Sequence, residues 1–342
     1  MPVPTPAQFA TMLDRAQAGD YALASINVTS STTLNAALRA FAETGTDGIV
    51  QISTGGGEFL SGPAKDMAKG AIAIADYARA VLENVPVFVA LTTDHCVDKK
   101  LDTFVRPILA ESKRRVEAGG QPVFNGHMYD GSEVSIERNL EVSVALLKEM
   151  APLGIVLEVE SGVVGGEEDG IDATGVSHDK LYTTPEDMLA FYEALAPIGR
   201  FTLAATFGNV HGVYKPGNVK LDPKVLKAGN DAVVQKHGGD ALMSLVFHGG
   251  SGSLLSEIHE AIGYGVVKMN VDTDCQYHYT RPVVEHIFKN YDGVLRIDGE
   301  MGDKKAYDPR AYMKLGEAGM GARVKEAASD LKSLGVSLHG QI

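Results

Sequence analysis

Three histidines follow short apolar runs of this sequence, at positions where the ends of neighbouring strands can meet. His95 occurs in TTDHC, His211 in FGNVHG and His248 in VFHGG. Any one of them alone is more often a structural residue than a ligand. Three at corresponding strand ends would converge if the strands close into a barrel, and three neutral imidazoles with one open position form a catalytic zinc site. We therefore predict a metal centre on these histidines.

Carboxylates follow the same apolar runs. Asp94 precedes His95, Asp130 occurs in HMYDGS and Glu160 in LEVESG. Asp94 either caps the next helix or points into the site. Asp130 and Glu160 either bind a second cation or orient the histidines through hydrogen bonds. The sequence predicts acidic side chains around the metal and leaves these roles open.

The stretch VFHGGSGS has more glycine than a turn needs. Residues 249–252 would expose backbone N–H groups beside His248, at the start of a helix near Leu254. Those donors and the helix dipole suit a phosphate group. The later stretch NVDT, residues 270–273, also precedes a predicted helix. Barrel enzymes often bind phosphate after strands seven and eight, so we predict a phosphate site between these two turns.

Eight short apolar runs alternate with longer amphipathic stretches, which predicts parallel strands separated by helices. Eight strands close a (β/α)8 TIM barrel, and a doubly wound open sheet is the competing arrangement. The polar residues lie at the carboxyl ends of the runs, where barrel enzymes carry their chemistry, and this favours the barrel. The predicted strands are residues 22–28, 48–53, 85–92, 122–126, 155–159, 201–206, 242–247 and 266–270.

We expect one barrel domain over residues 1–342, with additional helices at the N- and C-termini. Helices are predicted over residues 33–43, 66–82, 101–117 and 185–195. The last has a clear start, because Thr184 can cap it and Pro185 suits its first position. Residues 307–334 are expected to be helical in part, with Gly335 ending the last helix.

One segment, SGVVGGEEDGIDATGVSHDKLY at residues 161–182, lacks any core periodicity. A loop of this length is usually functional or disordered. Two interpretations stay open: a solvated acidic loop, or a hinged lid that carries a carboxylate over the site.

Composition excludes several classes of partner. The 342-residue chain has a formal net charge of −13 and a pI of about 5.2, which disfavours nucleic acid and anionic membranes. It has two cysteines, no basic segment followed by an apolar one at its start, and no apolar run long enough to cross a bilayer. We therefore expect a cytoplasmic protein without a disulfide framework.

The motifs HGGSGS, NVHGVYKPGNVKL, LEVESGVVGGEEDG and KMNVDTD closely resemble those of the metal-dependent, class II fructose-1,6-bisphosphate aldolases. The resemblance runs from SINVTSS near the start to YDPRAY near the C-terminus. It implies a TIM-barrel lyase that acts as a homodimer or homotetramer on small sugar phosphates. The implied reaction is the reversible cleavage of fructose 1,6-bisphosphate to dihydroxyacetone phosphate and glyceraldehyde 3-phosphate, in glycolysis and gluconeogenesis.

The resemblance also implies a role for individual positions. Asp94 matches the catalytic aspartate, and Glu168 matches the acid/base of the mobile loop. The cofactors implied are a catalytic Zn²⁺ on the three histidines, a second divalent metal on Asp130 and Glu160, and a monovalent cation, Na⁺ or K⁺. The implied substrate-binding residues are Asn27, Ser53, Gly212, Lys215, Gly249, Gly250, Ser251, Asn270, Val271, Asp272, Thr273 and Arg310, the last acting across a subunit interface.

Other interpretations stay open on the residues alone. A Schiff-base aldolase would use a lysine, and Lys268 in VVKMN is the candidate, although a structural role for it is preferred. A metal-dependent barrel hydrolase would activate water with the same residue types. A sugar-phosphate binder would show affinity without turnover. Within the resemblance, a tagatose-1,6-bisphosphate aldolase or another metal-dependent ketose-phosphate aldolase is the alternative.

Overall fold

Eight parallel strands form a closed barrel in this computed structural model. It describes residues 2–162, 165–168, 171–172, 182–211, 221–250, 252–296 and 302–342, with only the backbone at 165–168, 171–172 and 210–211. The barrel strands, numbered in chain order with three short strands given below, are β1 (Leu23–Asn27), β2 (Gly48–Ile52), β3 (Val89–Thr93), β4 (Gly126–Asp130), β5 (Val156–Ser161), β8 (Phe201–Ala205), β10 (Leu245–Phe247) and β11 (Val266–Val271). Around the barrel they run in the order β1, β11, β10, β8, β5, β4, β3, β2, which confirms the predicted TIM barrel over the open sheet.

Helices connect the strands and extend both ends of the chain. In the described residues no helix has the length and apolarity needed to cross a membrane. The helices are α1 (Pro6–Ala18), α2 (Ser31–Thr44), α3 (Thr54–Leu60), α4 (Met67–Leu82), α5 (Val105–Glu117), α6 (Ile136–Met150), α7 (Pro185–Leu195), α8 (Lys224–His237), α9 (Leu255–Gly263), α10 (Thr273–Lys289), α11 (Tyr291–Val294), α12 (Lys304–Tyr307) and α13 (Pro309–Asp330).

Helix α1 closes the amino-terminal end of the barrel. Its Phe9, Met12 and Leu13 are buried in one apolar cluster with residues near the start of barrel strands, among them Leu23 and Ile49. This end is therefore filled with hydrocarbon. Polar chemistry is left to the carboxyl ends of the strands, as in other TIM barrels.

The fourth strand lies later than predicted. Val123 and Phe124 are buried as the apolar run suggested, but hydrogen bonds from side chains tie this segment to its neighbours. The Val123 N–H donates to Ser112 Oγ at 3.1 Å, and Asn125 Oδ1 accepts from the Leu91 N–H at 3.0 Å. As a result His127, expected to follow the strand, lies within β4. The third strand also starts four residues later than the predicted 85, at Val89.

Helix boundaries agree with the sequence where a cap is local. Helix α7 begins at Pro185, and Thr184 and Asp187 form a reciprocal capping box before it. The expected end of the last helix at Gly335 is wrong, because α13 ends at Asp330. Gly335 has a φ of +77° and lies in a later turn. A positive-φ glycine marks a turn without saying which element precedes it.

The segment 161–182 contains regular backbone that periodicity did not indicate. Strand β6 (Gly165–Glu168) pairs antiparallel with β7 (Ile171–Asp172) and parallel with β9 (Val210–His211). Strand β9, the third strand of this small sheet, comes from a distant part of the chain, and a local sequence pattern cannot show that partner. The GGEE stretch is thereby placed beside the strand that ends in His211.

Candidate metal centre and active site

Three side chains with metal-binding atoms meet at the carboxyl end of the barrel. His95 follows β3, Glu160 lies in β5 and His248 follows β10 directly. One ligand atom from each lies within 4.8 Å of those of the other two. The imidazole centroids of His95 and His248 are 4.9 Å apart. The sequence predicted this convergence for the two histidines and placed Glu160 close to them.

A buried ion pair sets the orientation of His248. Its Nε2 lies 2.8 Å from Glu158 Oε1, and Lys268 Nζ donates to Glu158 Oε2 at 2.6 Å. Burial raises the pKa of Glu158, but the charge of Lys268 and the bond from His248 outweigh it and lower that pKa to about 2. Burial lowers the pKa of His248.

The protonation of this pair follows from those directions. A neutral imidazole donates its Nε2–H to the ionised Glu158, because a carboxylate can only accept. The His248 Nδ1 lone pair then faces Glu160 Oε2 at 3.9 Å. A carboxylate that fixes the tautomer of a ligating histidine from behind is a frequent feature of metal sites.

His95 lies against two carboxylates. Its Nδ1 is 3.3 Å from Asp130 Oδ2 and 3.3 Å from Glu160 Oε2. The other oxygen of Asp130 accepts from the backbone N–H of Ser132 at 3.1 Å and from its hydroxyl at 2.5 Å. Burial opposes ionisation of Asp130, but His95 and Ser132 together hold its pKa below the usual range. Both carboxylates are thus oriented toward the imidazole.

The charge at this end of the barrel fits a divalent cation. Asp94, Asp130, Glu158 and Glu160 are all buried there, and Lys268 is the one buried lysine or arginine of the described chain. Burying several carboxylates with a single cation is unfavourable without further positive charge. Histidine nitrogens and carboxylate oxygens are the donors that zinc accepts. The donor set therefore suits a metal ion.

Several predicted residues cannot be placed by their side chains. His211 is described only as backbone, in β9, where it pairs with Gly166 of β6. Glu168 is likewise described only as backbone, in β6. Gly212, Lys215 and Ser251 lie outside the described residues.

Asp94 is held by two amides rather than used as a helix cap. Its Oδ2 accepts from Asn27 Nδ2 at 2.7 Å and its Oδ1 from Asn270 Nδ2 at 3.3 Å. Asn27 Oδ1 in turn accepts from Gln51 Nε2 at 2.6 Å, and Gln51 Oε1 accepts from Ser25 Oγ at 2.5 Å. This arrangement aims the carboxylate between β1 and β11. It gives no support to the capping alternative.

The glycine-rich turn after β10 is explained by backbone geometry and packing. Gly249 and Gly252 have φ values of +62° and +83°, which favour glycine. At Gly250, a Cβ would come within 2.0 Å of Met269 Cε on β11. Helix α9 begins shortly afterwards at Leu255, and Asn209 Nδ2 donates to the His248 carbonyl at 2.8 Å. The turn therefore presents backbone close to His248.

The second predicted phosphate turn lies beside the first. Strands β10 and β11 are hydrogen-bonded neighbours, so the segments that follow them leave the barrel together. Asn270 and Val271 end β11, Asp272 follows, and Thr273 begins α10. Asp272 Oδ1 accepts from Gln276 Nε2 at 2.9 Å. Two helix N-termini thus lie behind adjacent turns.

Ser53 and Arg310 have other partners within this chain. Ser53 caps α3, with its Oγ accepting from the Gly56 N–H at 3.1 Å. The Arg310 side chain is 82% exposed and its Nη2 lies 2.7 Å from Asp308 Oδ2. Arg310 is therefore a surface residue of the single chain.

Glu158 and Gln51 have contacts that no sequence pattern indicated. Glu158 stands two residues before Glu160 on β5, and that period-2 spacing puts both side chains on one face of the strand. Ser25 and Asn27 show the same spacing on β1. Lys268, the Schiff-base candidate, is committed to the buried pair with Glu158, which agrees with the structural role preferred for it.

Comparisons with known proteins agree with this geometry. A family model described as fructose-bisphosphate aldolase class-II matches residues 7–336. A fructose-bisphosphate aldolase of Mycobacterium tuberculosis is 55% identical and one of Streptomyces galbus 56% identical, with 99% and 98% of this chain and 99% of each relative covered. The crystal structure of a fructose-bisphosphate aldolase from Campylobacter jejuni aligns with a TM-score of 0.86 at 37% identity, covering 97% of this chain and 96% of that one.

Replacing Glu158 by glutamine should lower the free energy of unfolding by about 3–5 kcal/mol, because Lys268 would be buried without a counter-ion. Adding Lys268→Met should recover much of that loss, since no unpaired charge then stays buried. Denaturant unfolding of the metal-free proteins measures both changes. As a control, Asp231→Asn breaks the exposed pair with Lys227 and should leave stability nearly unchanged. Wild-type stability of Glu158→Gln would contradict the buried charge pair.

Proposed function

Because the chain belongs to the class II fructose-bisphosphate aldolase family, we propose that it catalyses the reversible aldol cleavage of fructose 1,6-bisphosphate. The products are dihydroxyacetone phosphate and glyceraldehyde 3-phosphate. The observation that carries the proposal is the meeting of His95, Glu160 and His248 at one end of the barrel. The family is metal-dependent, and we propose Zn²⁺ as the catalytic ion of this chain.

We propose that His95, His211 and His248 hold the zinc. A divalent metal bound there would supply Lewis-acid catalysis, by polarising the ketose carbonyl and offsetting the negative charge that develops on cleavage. Glu158 keeps the Nδ1 lone pair of His248 available by taking the Nε2–H. Asp130 and Glu160 either orient His95 or bind a second divalent ion, and we propose a monovalent cation, Na⁺ or K⁺, near the glycine turn.

Asp94 is the proposed base of the cleavage direction. Its carboxylate is buried and held from two sides by Asn27 and Asn270, so it is fixed in direction and shielded from water. It would take the proton of the C4 hydroxyl as the C3–C4 bond breaks. Glu168 would then protonate the ene-diolate carbon, and the pairing of its strand β6 with β9 supports a position close to His211.

The two phosphates are assigned to opposite ends of the site. Gly249, Gly250 and Ser251 with residues 270–273 would bind one phosphate through backbone N–H groups and two helix N-termini. Gly212 and Lys215 belong to the same proposed binding surface. Ser53 or Arg310 would hold the other phosphate.

We also propose a homodimer or homotetramer in which Arg310 acts on the partner's site. Its guanidinium is exposed in the single chain. Helix α10 carries three exposed apolar residues, Tyr277, Val284 and Phe288, and Tyr291 of α11 and Leu295 just after it are exposed as well. An exposed apolar surface of this kind commonly marks a subunit interface.

Competing functions have less support. The relatives carry the name fructose-bisphosphate aldolase, which favours fructose over tagatose bisphosphate. A Schiff base on Lys268 would first have to break its bond to Glu158. We also propose that the chain forms a single domain over residues 1–342 and is located in the cytoplasm.

Removal of the metal should abolish cleavage of fructose 1,6-bisphosphate, because the ene-diolate would lose its stabilising charge. Treatment with EDTA is expected to reduce the rate by at least about 100-fold, a loss of ~3 kcal/mol of transition-state stabilisation. Added Zn²⁺ should restore it. A coupled assay of triose phosphate formation measures the three states, and apo-protein activity equal to the untreated rate would overturn the proposal.

Asp94→Asn should retain bound zinc and lose cleavage by roughly 10²–10⁴-fold, the usual contribution of a general base. The amide keeps the size of the side chain and cannot accept the hydroxyl proton. Asp98→Asn, which breaks a surface pair with Arg138, is the matched control and should keep the wild-type rate. Rates and metal content are measured on the same samples. A wild-type rate for Asp94→Asn would remove the base from the mechanism.

Subunit mixing tests the proposed position of Arg310. Asp94→Asn and Arg310→Ala are each expected to be nearly inactive at low substrate. After unfolding and refolding of a 1:1 mixture, half the dimers pair unlike subunits and regain one complete site. Activity should then rise to about a quarter of the wild-type value, as follows from counting sites in a two-fold symmetric dimer. Recovery of no activity would show that Arg310 serves its own subunit or none.

A further inference from the structure

We propose that Arg323 of α13 is a positioning residue that acts on both phosphate turns. The inference rests on the proposed function, because it assumes that these turns bind phosphate. Arg323 belongs to neither turn and is separated from them in sequence by helices α10, α11 and α12. What joins it to them is an ion pair on one side and a cavity wall on the other.

The ion pair links Arg323 to the start of α10. Its Nε and Nη2 donate to Asp274 Oδ2 at 3.3 and 3.2 Å, and the arginine side chain is only 14% exposed. Asp274 is the second residue of α10 and follows the turn at 270–273 directly. A guanidinium with two donors on one oxygen fixes this carboxylate in direction as well as in charge.

The cavity links Arg323 to the glycine turn. A space of about 110 Å³ lies between the two turns and α13. Its lining includes Gly250, Gly252 and Ser253 of one turn, Asp274 and Arg323, and apolar side chains of α9, β11 and α13. Within the described residues, Arg323 Nη1 and Ser253 Oγ are buried without a hydrogen-bond partner. A space of this size accepts ordered water, which would join these two groups.

The negative charge of Asp274 is the reason that an arginine is needed beside it. A carboxylate in the first turn of α10 suits the helix dipole but repels a phosphate bound at the same N-terminus. Arg323 neutralises that carboxylate on the side away from the site. The remaining Nη1 lies 3.7 Å from Glu326 and 3.7 Å from Asp330, so the guanidinium is centred among three acids.

Helix docking alone does not require this arginine. Helix α13 packs closely on α10 at Gly316 and Gly319, where a Cβ would come within 2.9 Å of the Tyr279 ring and within 2.3 Å of the His278 carbonyl. Met320 and Val324 are buried in the same helix. Arg323 therefore adds charge and direction to a contact that small and apolar residues already make.

The test uses Arg323→Met in the zinc-loaded protein. We expect KM for fructose 1,6-bisphosphate, and the inhibition constant of inorganic phosphate, to rise about tenfold, with kcat reduced by less than about twofold. A loss confined to KM reports weaker uniform binding rather than lost transition-state contacts. The KM of Arg323→Lys should fall between those of the wild type and Arg323→Met, because lysine keeps the positive charge and loses the paired donors of the guanidinium.

Two further variants separate positioning from folding. Asp274→Asn in the Arg323→Met background should return KM toward wild type, since the unneutralised carboxylate is then gone. Arg39→Met removes an arginine that ties α2 to Glu317 of the same α13, and should leave KM unchanged. An unchanged KM in Arg323→Met, or no rescue by Asp274→Asn, would overturn the inference. Absence of cleavage and of phosphate inhibition in wild-type protein would instead overturn the proposed function, and this inference with it.

Discussion

The concentration of buried carboxylates at one end of the barrel is the constraint on which the site depends. Asp94, Asp130, Glu158 and Glu160 are removed from water there, and Lys268 neutralises only one of them. Asp94, Asp130 and Glu158 are each held by hydrogen-bond donors, so the unfavourable charge is kept in place by the fold itself. The opposite end is closed by the apolar side of α1. The fold thus builds a buried acidic environment that suits a bound cation.

The barrel and the positions of His95 and His248 could be predicted because both depend on local patterns. Strand-length apolar runs ending in His95 and His248 fix where those imidazoles emerge, and parallel pairing brings them together. The boundary of β4 could not be predicted, because Val123 and Phe124 are as buried as strand residues, while the Val123 N–H donates to a serine hydroxyl instead of to a neighbouring strand. The end of α13 was missed for a related reason: a glycine with positive φ fits many turns besides a helix end.

The roles of Asp94 and Glu158 required tertiary contacts that no local pattern contains. Whether Asp94 caps a helix or faces the site depends on amides contributed by β1 and β11, from opposite ends of the chain. Glu158 contacts Lys268 of β11 and His248, which directly follows β10. Only the period-2 spacing of Glu158 and Glu160 is visible in sequence, and it gives their common face without their partners.

An enzyme with a formal charge of −13 that binds a bisphosphate must generate positive potential locally. In the proposed site that potential would come from backbone N–H groups at two adjacent helix N-termini, from a metal, and from Lys215 and Arg310. A local conflict of charge arises at Asp274. The stability of α10 favours an acidic residue in its first turn, and a phosphate bound at the same N-terminus disfavours one. Neutralising that acid from the far side, through Arg323, keeps the helix start and removes its charge from the phosphate.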